Sequence, residues 1–355
     1  MRKWLNLHPG ANTVHLAFPL KKLGLNLSFP SHVYNHCRVT VRNILRKSKD
    51  VNIRRLYIET HSKNINQDQI VEEGIKNVGN DPTSQKDNCK KLLKARTEND
   101  IWKQFDELKK QNIIVKYLLE VCASSSITAW NKVATNVPKN IFAFLRRALI
   151  LALPTNKNLK TWNLIDKEEC PLCNGSVHTQ HHILNNCSAA ANQHRYLWRH
   201  NSVLNTIVYY LMSILDSTMK LYVDIPGYQP PDEIFSTGSR PDIVLETKNT
   251  MYVIELTVCF ETNLQKSRHY KEDRYRDLDM NCCVKDKMCK MIFIELSALG
   301  FYSKDIKPFK DLLKLYKLDV PRILAKCSET CIRSSYYIFN RRNKPWTLPE
   351  LLLFY

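Results

Sequence analysis

The sequence feature that most constrains the fold is a group of closely spaced cysteine and histidine residues. The stretch CPLCNGSVHTQHHILNNC begins at Cys170 and ends at Cys187, and it has the spacing C-x2-C-x8-H-x4-C through Cys173 and His182. Two thiolates separated by two residues can bind one tetrahedral ion through a tight turn, and three cysteines with one histidine are a common structural zinc set. We therefore predict a structural zinc site, whose ion contributes directly to folding.

The sequence leaves open which histidine is the ligand and whether an ion binds. His181 also fits, with the spacing C-x2-C-x7-H-x5-C, and a set of free buried cysteines is the alternative to a metal site. The chain has 12 cysteines, and its first residues, MRKWLNLHPG, lack the apolar core of a signal peptide. These features favour thiols and metal ligands in a reducing intracellular environment over a disulfide framework.

The chain carries a large excess of positive charge. Its 355 residues include 53 Lys and Arg against 34 Asp and Glu, which gives a formal net charge of +19. Such a field attracts polyanions, of which nucleic acid is the commonest for a basic protein. The most apolar window, residues 141–154, is too short for a membrane span and contains Arg146 and Arg147. We therefore expect a nucleic-acid partner and no membrane partner.

Helical patterns precede strand patterns along the chain. The helical pattern that directly precedes the strands covers residues 203–223, and alternating patterns cover 242–246, 251–258 and 291–296. This order predicts an α/β fold class in which a helical N-terminal region precedes an α/β or α+β domain. The predicted domains are a basic segment at 1–59, a linker or loose surface helix at 60–88, a helical domain at 89–165, the zinc knuckle at 166–200 and a strand-containing domain at 201–355.

Basic and aromatic residues are mixed just after the cysteine and histidine group, in the stretch HRYLWRHN. Arginines can bind phosphate and aromatic rings can stack on bases, so Arg195, Arg199 and His200 are predicted to contact nucleic acid. A helix that packs Tyr196, Leu197 and Trp198 into the core is an equally good interpretation of the same stretch.

Two carboxylates interrupt a strand-forming stretch, RPDIVLETKNTMYVIELTV. If residues 247–250 form a tight turn, Asp242 lies directly opposite Glu255 in a hairpin. Like charges in directly opposed positions are destabilising. A divalent cation such as Mg²⁺ would offset the repulsion, because carboxylates, water and phosphate oxygens bind it together. Such an ion can orient a water nucleophile and stabilise the charge on a scissile phosphate.

The segment after the second strand is predicted to be a helix. Arg268, Lys271 and Tyr275 fall on one face of it, so Lys271 can contact a phosphate or the attacking water and Tyr275 can orient either. Glu246, four residues after Asp242, is a further candidate. The alternative is that Asp242 caps a turn and that Glu255 pairs with a surface arginine.

The order of these motifs resembles the C-terminal region of site-specific non-LTR retrotransposon proteins. The shared order is the Cys/His group, then RHN, R-P-D, E-L-T and a helix with K-x3-Y; the stretches LPTNKNLKTWNLIDKEEC and FIELSALGFYSK also resemble that family. The resemblance covers residues 153–304. It implies a CCHC zinc knuckle followed by a restriction-endonuclease-like α/β/α core with a mixed sheet, of the PD-(D/E)xK superfamily. A thumb-like remnant is implied for residues 1–59.

The resemblance also implies an activity and its residues. The family's aspartate, acidic residue, helix lysine and tyrosine correspond to Asp242, Glu255, Lys271 and Tyr275, with Mg²⁺ at the two carboxylates. Basic residues near them, Arg240 and Arg268, are expected to contact nucleic acid. The implied reaction is nicking of target DNA in the nucleus, which leaves a 3′ hydroxyl that primes reverse transcription.

Two departures from the family affect this expectation. Glu255 stands where many relatives have aspartate, and no polymerase motif with paired aspartates is visible in the chain. We therefore expect the reverse transcriptase portion of a full-length element as a partner, with element RNA as a further candidate. The alternative function is a catalytically silent, zinc-stabilised nucleic-acid-binding remnant of such an element.

Overall fold

The computed structural model describes residues 3, 5, 7–76, 82–231, 240–275 and 287–347. The chain divides into two compact units, namely Asn12–Lys109 and a larger unit that joins Met1–Ala11 to Lys110–Tyr355. Among the described helices, none combines the length and the apolar character that a membrane span requires. The domain boundaries given by the sequence stay predictions.

The smaller unit is helical. Its helices are α1 (Pro30–Lys47), α2 (Val51–Glu59), α3 (Ile65–Lys76) and α4 (Pro82–Asp106). The Asp50 side chain caps α2 by accepting hydrogen bonds from backbone N–H groups of its first turn. A buried ion pair between Arg42 and Asp68 joins α1 to α3. Helix α3 therefore makes buried contacts within the stretch for which the sequence predicts a linker or a loose surface helix.

The larger unit begins with helices and continues into a sheet. The helices before the sheet are α5 (Ile113–Val121), α6 (Ser124–Asn136), α7 (Lys139–Leu149), α8 (Asn156–Thr161), a π-helix (His182–Asn186), α9 (Ser188–Asn192) and α10 (Arg195–Met212). The strands are β1 (Lys220–Val223), β2 (Ile243–Glu246), β3 (Thr250–Cys259) and β4 (Met288–Ser297). Three further helices are α11 (Leu264–Arg274), which lies between β3 and β4, and α12 (Lys307–Leu315) and α13 (Val320–Asn340), which follow β4.

The prediction of one helix over residues 203–223 is wrong. Helix α10 ends at Met212, and β1 occupies the end of the predicted range. The reason is local, since the Asp216 side chain accepts hydrogen bonds from both the backbone N–H and the hydroxyl of Thr218 at 2.7 Å. An aspartate in such a turn competes with the helix for backbone hydrogen bonds. The three later strand predictions are confirmed, with small shifts in their bounds.

The four strands form one mixed sheet in the order β1-β2-β3-β4. Strand β2 is antiparallel to β1 and β3, whereas β4 is parallel to β3. The ladder ends at Ile243 with Ile254, and its register, continued by one residue, would set Asp242 opposite Glu255 as the sequence predicts. The predicted turn is present as well, because the Thr247 N–H donates to the Thr250 carbonyl at 2.9 Å.

Helices cover both faces of the sheet. On one face, Ile243 and Ile254 belong to a core that includes apolar residues of α10, α12 and α13. On the other face, Val253 packs with Tyr275, which directly follows α11. Side chains alternate between the faces along a strand, so Glu255, next to Ile254, lies on the face of α11. The chain is thus a mixed α/β structure with a helical N-terminal region and a four-stranded mixed sheet, as predicted.

A buried glutamate connects α6 to the segments that follow β3 and β4. Glu261, fully buried just after β3, accepts a hydrogen bond from the Leu299 N–H at 2.9 Å. The Leu299 carbonyl in turn accepts from the Trp130 indole at 2.6 Å, and that indole stacks on Phe301 at 4.2 Å. Burial raises the pKa of Glu261 to about 7, against the opposing effects of backbone N–H groups and Arg199.

We predict that Glu261→Gln removes part of the pH dependence of folding. Because the folded-state pKa is raised, the protonated carboxyl stabilises the fold below the ordinary glutamate pKa, and this contribution is lost as the pH rises through about 7. The loss is on the order of 3 kcal/mol. Urea denaturation at acidic and alkaline pH should therefore show a smaller change in unfolding free energy for the variant than for the wild type. Equal changes would contradict the prediction.

Candidate functional site

The structure brings the four predicted zinc ligands together. The ligand atoms of Cys170, Cys173, His182 and Cys187 all lie within 4.8 Å of one another. Cys170 Sγ is 3.9 Å from Cys187 Sγ, and Cys173 Sγ is 3.4 Å from His182 Nε2. A tetrahedral zinc ion with bonds of about 2.0–2.3 Å requires separations of this size. The residues of this Cys/His cluster therefore fit one zinc ion.

Local backbone structure explains why these residues meet. The Asn174 N–H donates to the Cys170 carbonyl at 2.8 Å, and Asn174 has a left-handed φ of 54° that closes the turn. His182 begins the π-helix, and Cys187 directly follows it. A π-helix forms hydrogen bonds between residues five apart, so its wide turn brings these two side chains to the same side.

The protonation states in the cluster suit a cation. Burial, together with the nearby His181, lowers the pKa of His182, which keeps its imidazole neutral and able to bind a metal. Burial also raises the pKa of Cys187 to about 11, assisted by the neighbouring Cys170. For Cys173 burial acts in the same direction, but N–H groups of Gly175 and Ser176 bring its pKa below the ordinary value. A cation bound among these three cysteines would displace the thiol protons and be held by thiolates.

The structure also separates the two histidine candidates. The His181 ring packs edge-on against Phe260 at 4.8 Å, whereas His182 faces Cys173. In addition, the Asn185 side chain donates to the Val258 carbonyl at 3.3 Å. The π-helix therefore supplies His182, leads directly into Cys187, and contacts the end of β3 at the same time.

Asp242 is held by donors from two elements. Its Oδ2 accepts a hydrogen bond from the Leu256 N–H at 2.7 Å and lies 3.4 Å from His200 Nε2. The two ring nitrogens of His200 also face the oxygens of Leu256 and Asn201, at 3.2 and 3.1 Å, and a doubly protonated ring can donate to both. Both contacts of Asp242 use Oδ2, and Oδ1 has no hydrogen-bond partner among the described residues.

The protonation states of Asp242 and His200 agree with this contact. Burial alone would raise the pKa of Asp242, but the hydrogen bond and the charge of His200 bring it below the ordinary value. For His200 burial acts to lower the pKa, whereas the bond to Asp242 raises it. The two side chains therefore form a carboxylate–imidazolium pair.

Glu255 lies deeper than Asp242. Lys271 Nζ contacts its Oε2 at 2.5 Å, while its Oε1 is buried and has no hydrogen-bond partner within the described parts of the chain. Burial and the charge of Asp242 raise the pKa of Glu255, and Lys271 opposes them. Tyr275, itself buried, hydrogen-bonds to Glu255; burial and this bond raise the pKa of the phenol, which stays neutral. The four predicted catalytic residues are therefore adjacent.

Two predicted nucleic-acid contacts lie in the core instead. Arg195 and Arg199 are both 0% exposed. Arg195 donates to the carbonyls of Arg341 and Lys344 at 2.7 and 3.0 Å, and Arg199 donates to the Ser335 hydroxyl at 3.0 Å. Arg195 thus holds the segment after α13, and Arg199 holds α13 itself. The burial of both side chains argues against contact with a phosphate. His200, the third residue of this group, is paired with Asp242.

The remaining predicted residues have other partners too. Arg268 bonds to the buried Glu295 at 3.2 Å and to Glu272 at 2.7 Å, so it neutralises a carboxylate of β4. Arg240 is exposed and pairs with Asp224 at 2.8 Å. The further candidate Glu246 pairs with Lys287 at 2.8 Å, away from the other two carboxylates.

Sequence reasoning misses two residues of this site. It assigns His200 to nucleic acid, and it gives Glu295 no role. A signal for Glu295 is present, because the triplet Ile-Glu-Leu occurs both around Glu255 and around Glu295. A carboxylate inside an apolar strand indicates a special partner at both positions.

Comparison with known proteins supports the metal cluster. Residues 93–193 match a family model described as zinc-binding in reverse transcriptase. This range contains all four residues of the Cys/His cluster. A comparison with curated proteins finds no match. The family match and the geometry together support a reverse-transcriptase-related zinc-binding region in this part of the chain.

We predict that His182→Ala releases the metal and that the matched variant His181→Ala retains it. Only His182 faces the three cysteines, and loss of one ligand from a structural zinc site removes folding free energy. Metal analysis of the purified proteins should give about one zinc per chain for the wild type and for His181→Ala. It should give little zinc for His182→Ala, together with a lower Tm. Equal zinc contents in the two variants would contradict the assignment.

Proposed function

We propose that the chain is a Mg²⁺-dependent DNA endonuclease of the restriction-like PD-(D/E)xK type, from a non-LTR retrotransposon. It would nick target DNA and leave a 3′ hydroxyl, from which a reverse transcriptase supplied elsewhere starts synthesis. The observation that carries the proposal is the neighbouring pair Asp242 and Glu255, whose charges act on each other, with Lys271 against one of them. The helices on both faces of the mixed sheet agree with the implied core, and the reverse-transcriptase-related zinc region agrees with the implied origin.

The carboxylate oxygens fit a magnesium ion. Asp242 Oδ2 is engaged by Leu256 and His200, and Glu255 Oε2 is engaged by Lys271. One oxygen of each carboxylate is left over, and the one on Glu255 is buried without a hydrogen bond among the described residues. Mg²⁺ prefers such oxygen ligands, and when bound it stabilises the charge of a scissile phosphate.

The other residues have distinct roles in the proposal. Lys271 is partly exposed while Glu255 is buried, so the ammonium group can also contact a phosphate or hydrogen-bond the attacking water. Tyr275 donates to Glu255 and fixes the orientation of that carboxylate. His200 likewise fixes the orientation of the Asp242 carboxylate. Arg240, which is exposed, remains a candidate for DNA contact, whereas Arg268 stabilises Glu295.

One observation favours a second candidate function. The Lys271 ammonium already neutralises Glu255 at 2.5 Å, so the carboxylate pair is compensated in part without a metal. A chain that keeps this contact permanently would be a catalytically silent, zinc-stabilised nucleic-acid-binding protein. Its net charge of +19 would then provide binding alone, and this binding would weaken with salt.

We predict that the purified protein nicks supercoiled plasmid DNA only when Mg²⁺ is added. Asp242→Asn and Glu255→Gln should each lower the nicking rate by roughly 100-fold or more, because each removes a negative metal ligand. Asp311→Asn, which changes an exposed carboxylate of α12, is the matched control and should leave the rate unchanged. Agarose gels of nicked and supercoiled plasmid give the rates.

The outcomes separate the two candidates. DNA retention without nicking in the wild type supports the silent binding protein. Nicking that persists in Asp242→Asn rejects the assigned carboxylate site.

We further predict that Lys271→Met lowers kcat by roughly 10–100-fold and that Tyr275→Phe has a smaller effect. The methionine side chain keeps the apolar stem of the lysine but cannot stabilise phosphate charge. Lys266→Met, an exposed change on the same helix, is the control for loss of one positive charge. A rate for Lys271→Met equal to that of Lys266→Met would exclude a catalytic role for Lys271.

A further inference from the structure

Two neighbouring cavities of the smaller unit follow helices α1 and α4. Their volumes are about 430 and 320 Å³, and His36 lines both. The first extends along α1 to Lys47 and the second to His32, so together they form one groove, which we call the α1–α4 groove. The stretch of α1 from His32 to Lys47 rises by about 22 Å, or four helical turns. The groove therefore has the length of a short helix.

The residues of α1 that line the groove recur at the spacing of a helix-packing face. At intervals of four, three, four and three residues they are Val33, Cys37, Thr40, Ile44 and Lys47. This spacing is typical of helices that pack on another helix along their length. All five are nevertheless exposed, with 48% of Val33 and 63% of Ile44 open to solvent. Helix α1 thus presents a packing face that is uncovered.

The floor of the groove is apolar and fixed. Val39 of α1 lines it together with Cys89 and Leu93 of α4, and all three are buried. They also pack against Ile70 and Val71 of α3 in one core cluster. Because close-packed side chains leave little room for movement, the shape of the floor does not depend on an occupant.

Positive charge lines the α4 side of the groove. Three lysines stand there at intervals of four residues, namely Lys86, Lys90 and Lys94. Residues four apart share one face of a helix, so their charges form a row. Among the described residues, the ion pair of α4 with a carboxylate is made by Arg96 instead, with Glu73. Carboxylates of an occupant would complement the lysine row.

The lining suits a polypeptide better than a nucleic acid. Single strands are bound by aromatic rings that stack on bases, but the aromatic rings among the described lining residues are only the imidazoles of His32 and His36. Exposed aliphatic side chains such as Val33 and Ile44 instead form the contact when an amphipathic helix enters a groove. A second copy of the chain is disfavoured by its own charge of +19.

We propose that the α1–α4 groove binds an amphipathic helix of another polypeptide that carries carboxylates along one flank. The apolar face of that helix lies against Val33, Ile44 and the floor, and its carboxylates pair with the lysine row of α4. About four turns, or roughly 15 residues, fit the groove. The interaction goes beyond the proposed nuclease, because the groove belongs to the smaller unit and contains neither the carboxylate pair nor the Cys/His cluster.

The experiment measures binding of a labelled synthetic peptide of roughly 18 residues, made of leucine, alanine and glutamate, to the full chain. In this peptide leucine recurs at intervals of three and four residues and glutamate flanks the leucine face. A control peptide has the same composition, and therefore the same charge, but its leucines are spread around the helix. Fluorescence anisotropy should give a Kd for the amphipathic peptide that is about tenfold lower than that of the control.

Two matched pairs of variants locate the binding site. Ile44→Glu should weaken binding by roughly tenfold, because it brings a charge into the apolar contact. Ile65→Glu, an equally charged change at an exposed position outside the groove, should leave the affinity unchanged. Lys90→Glu should weaken binding by roughly threefold to tenfold, whereas Lys91→Glu, at its exposed neighbour outside the groove, should have a much smaller effect.

Cys37 reports on occupancy directly, because its exposed thiol lies in the lining. Bound peptide should slow the alkylation of Cys37 by iodoacetamide, followed by mass spectrometry of the fragment that contains it. Equal Kd values for the two peptides, equal effects within either pair of variants, or an unchanged alkylation rate would overturn the proposal.

Other occupants are tested with the same variants. Duplex DNA, vesicles that contain phosphatidylserine, and self-association in sedimentation runs represent a nucleic acid, a membrane and a second copy. If Ile44→Glu weakens one of these interactions and Ile65→Glu does not, the groove belongs to that occupant and the proposal is overturned. Because each readout is binding, an inactive nuclease centre does not affect the outcome.

Discussion

The antiparallel register of β2 and β3 is the constraint on which the proposed active site depends. It places two carboxylates opposite each other at the edge of a buried face, where repulsion between them is strong. The surrounding elements supply what compensates for it: an imidazolium from α10, a backbone N–H of β3, an ammonium from α11 and a phenol that follows it. Four groups from three elements are thus arranged around one unfavourable pair, which is the pattern expected where function opposes stability.

Much of this arrangement follows from the sequence. Alternating apolar residues predict β2, β3 and β4, and a short polar turn fixes which residues pair, so the amino-acid order by itself places Asp242 opposite Glu255. The spacing of Cys170, Cys173, His182 and Cys187 predicts the metal cluster in the same way. In each case the partners are close in the sequence, so local geometry determines their positions.

The predictions that are wrong mostly concern residues whose partners lie far away in the sequence. Arg195 and Arg199 look like phosphate ligands in an isolated stretch, but their partners, Arg341, Lys344 and Ser335, follow far along the chain. The contact between His200 and Asp242 is also long-range. A basic residue on a helix gives no local sign of whether it faces solvent or a distant carbonyl group. The prediction for the end of α10 is wrong for another reason, namely the hydrogen-bonded turn of Asp216 and Thr218.

The contact between the π-helix and the end of β3 has a consequence for how this region is inherited. Asn185 bonds to Val258, three positions beyond the glutamate, and His181 packs on Phe260. A fragment that starts after the Cys/His cluster would lose both contacts and expose the end of β3. The Cys/His cluster and the end of β3 therefore have to be kept together, in evolution and in protein engineering alike. When segments are exchanged between relatives, the Cys/His cluster and the end of β3 should both be preserved only if the junction lies before Cys170.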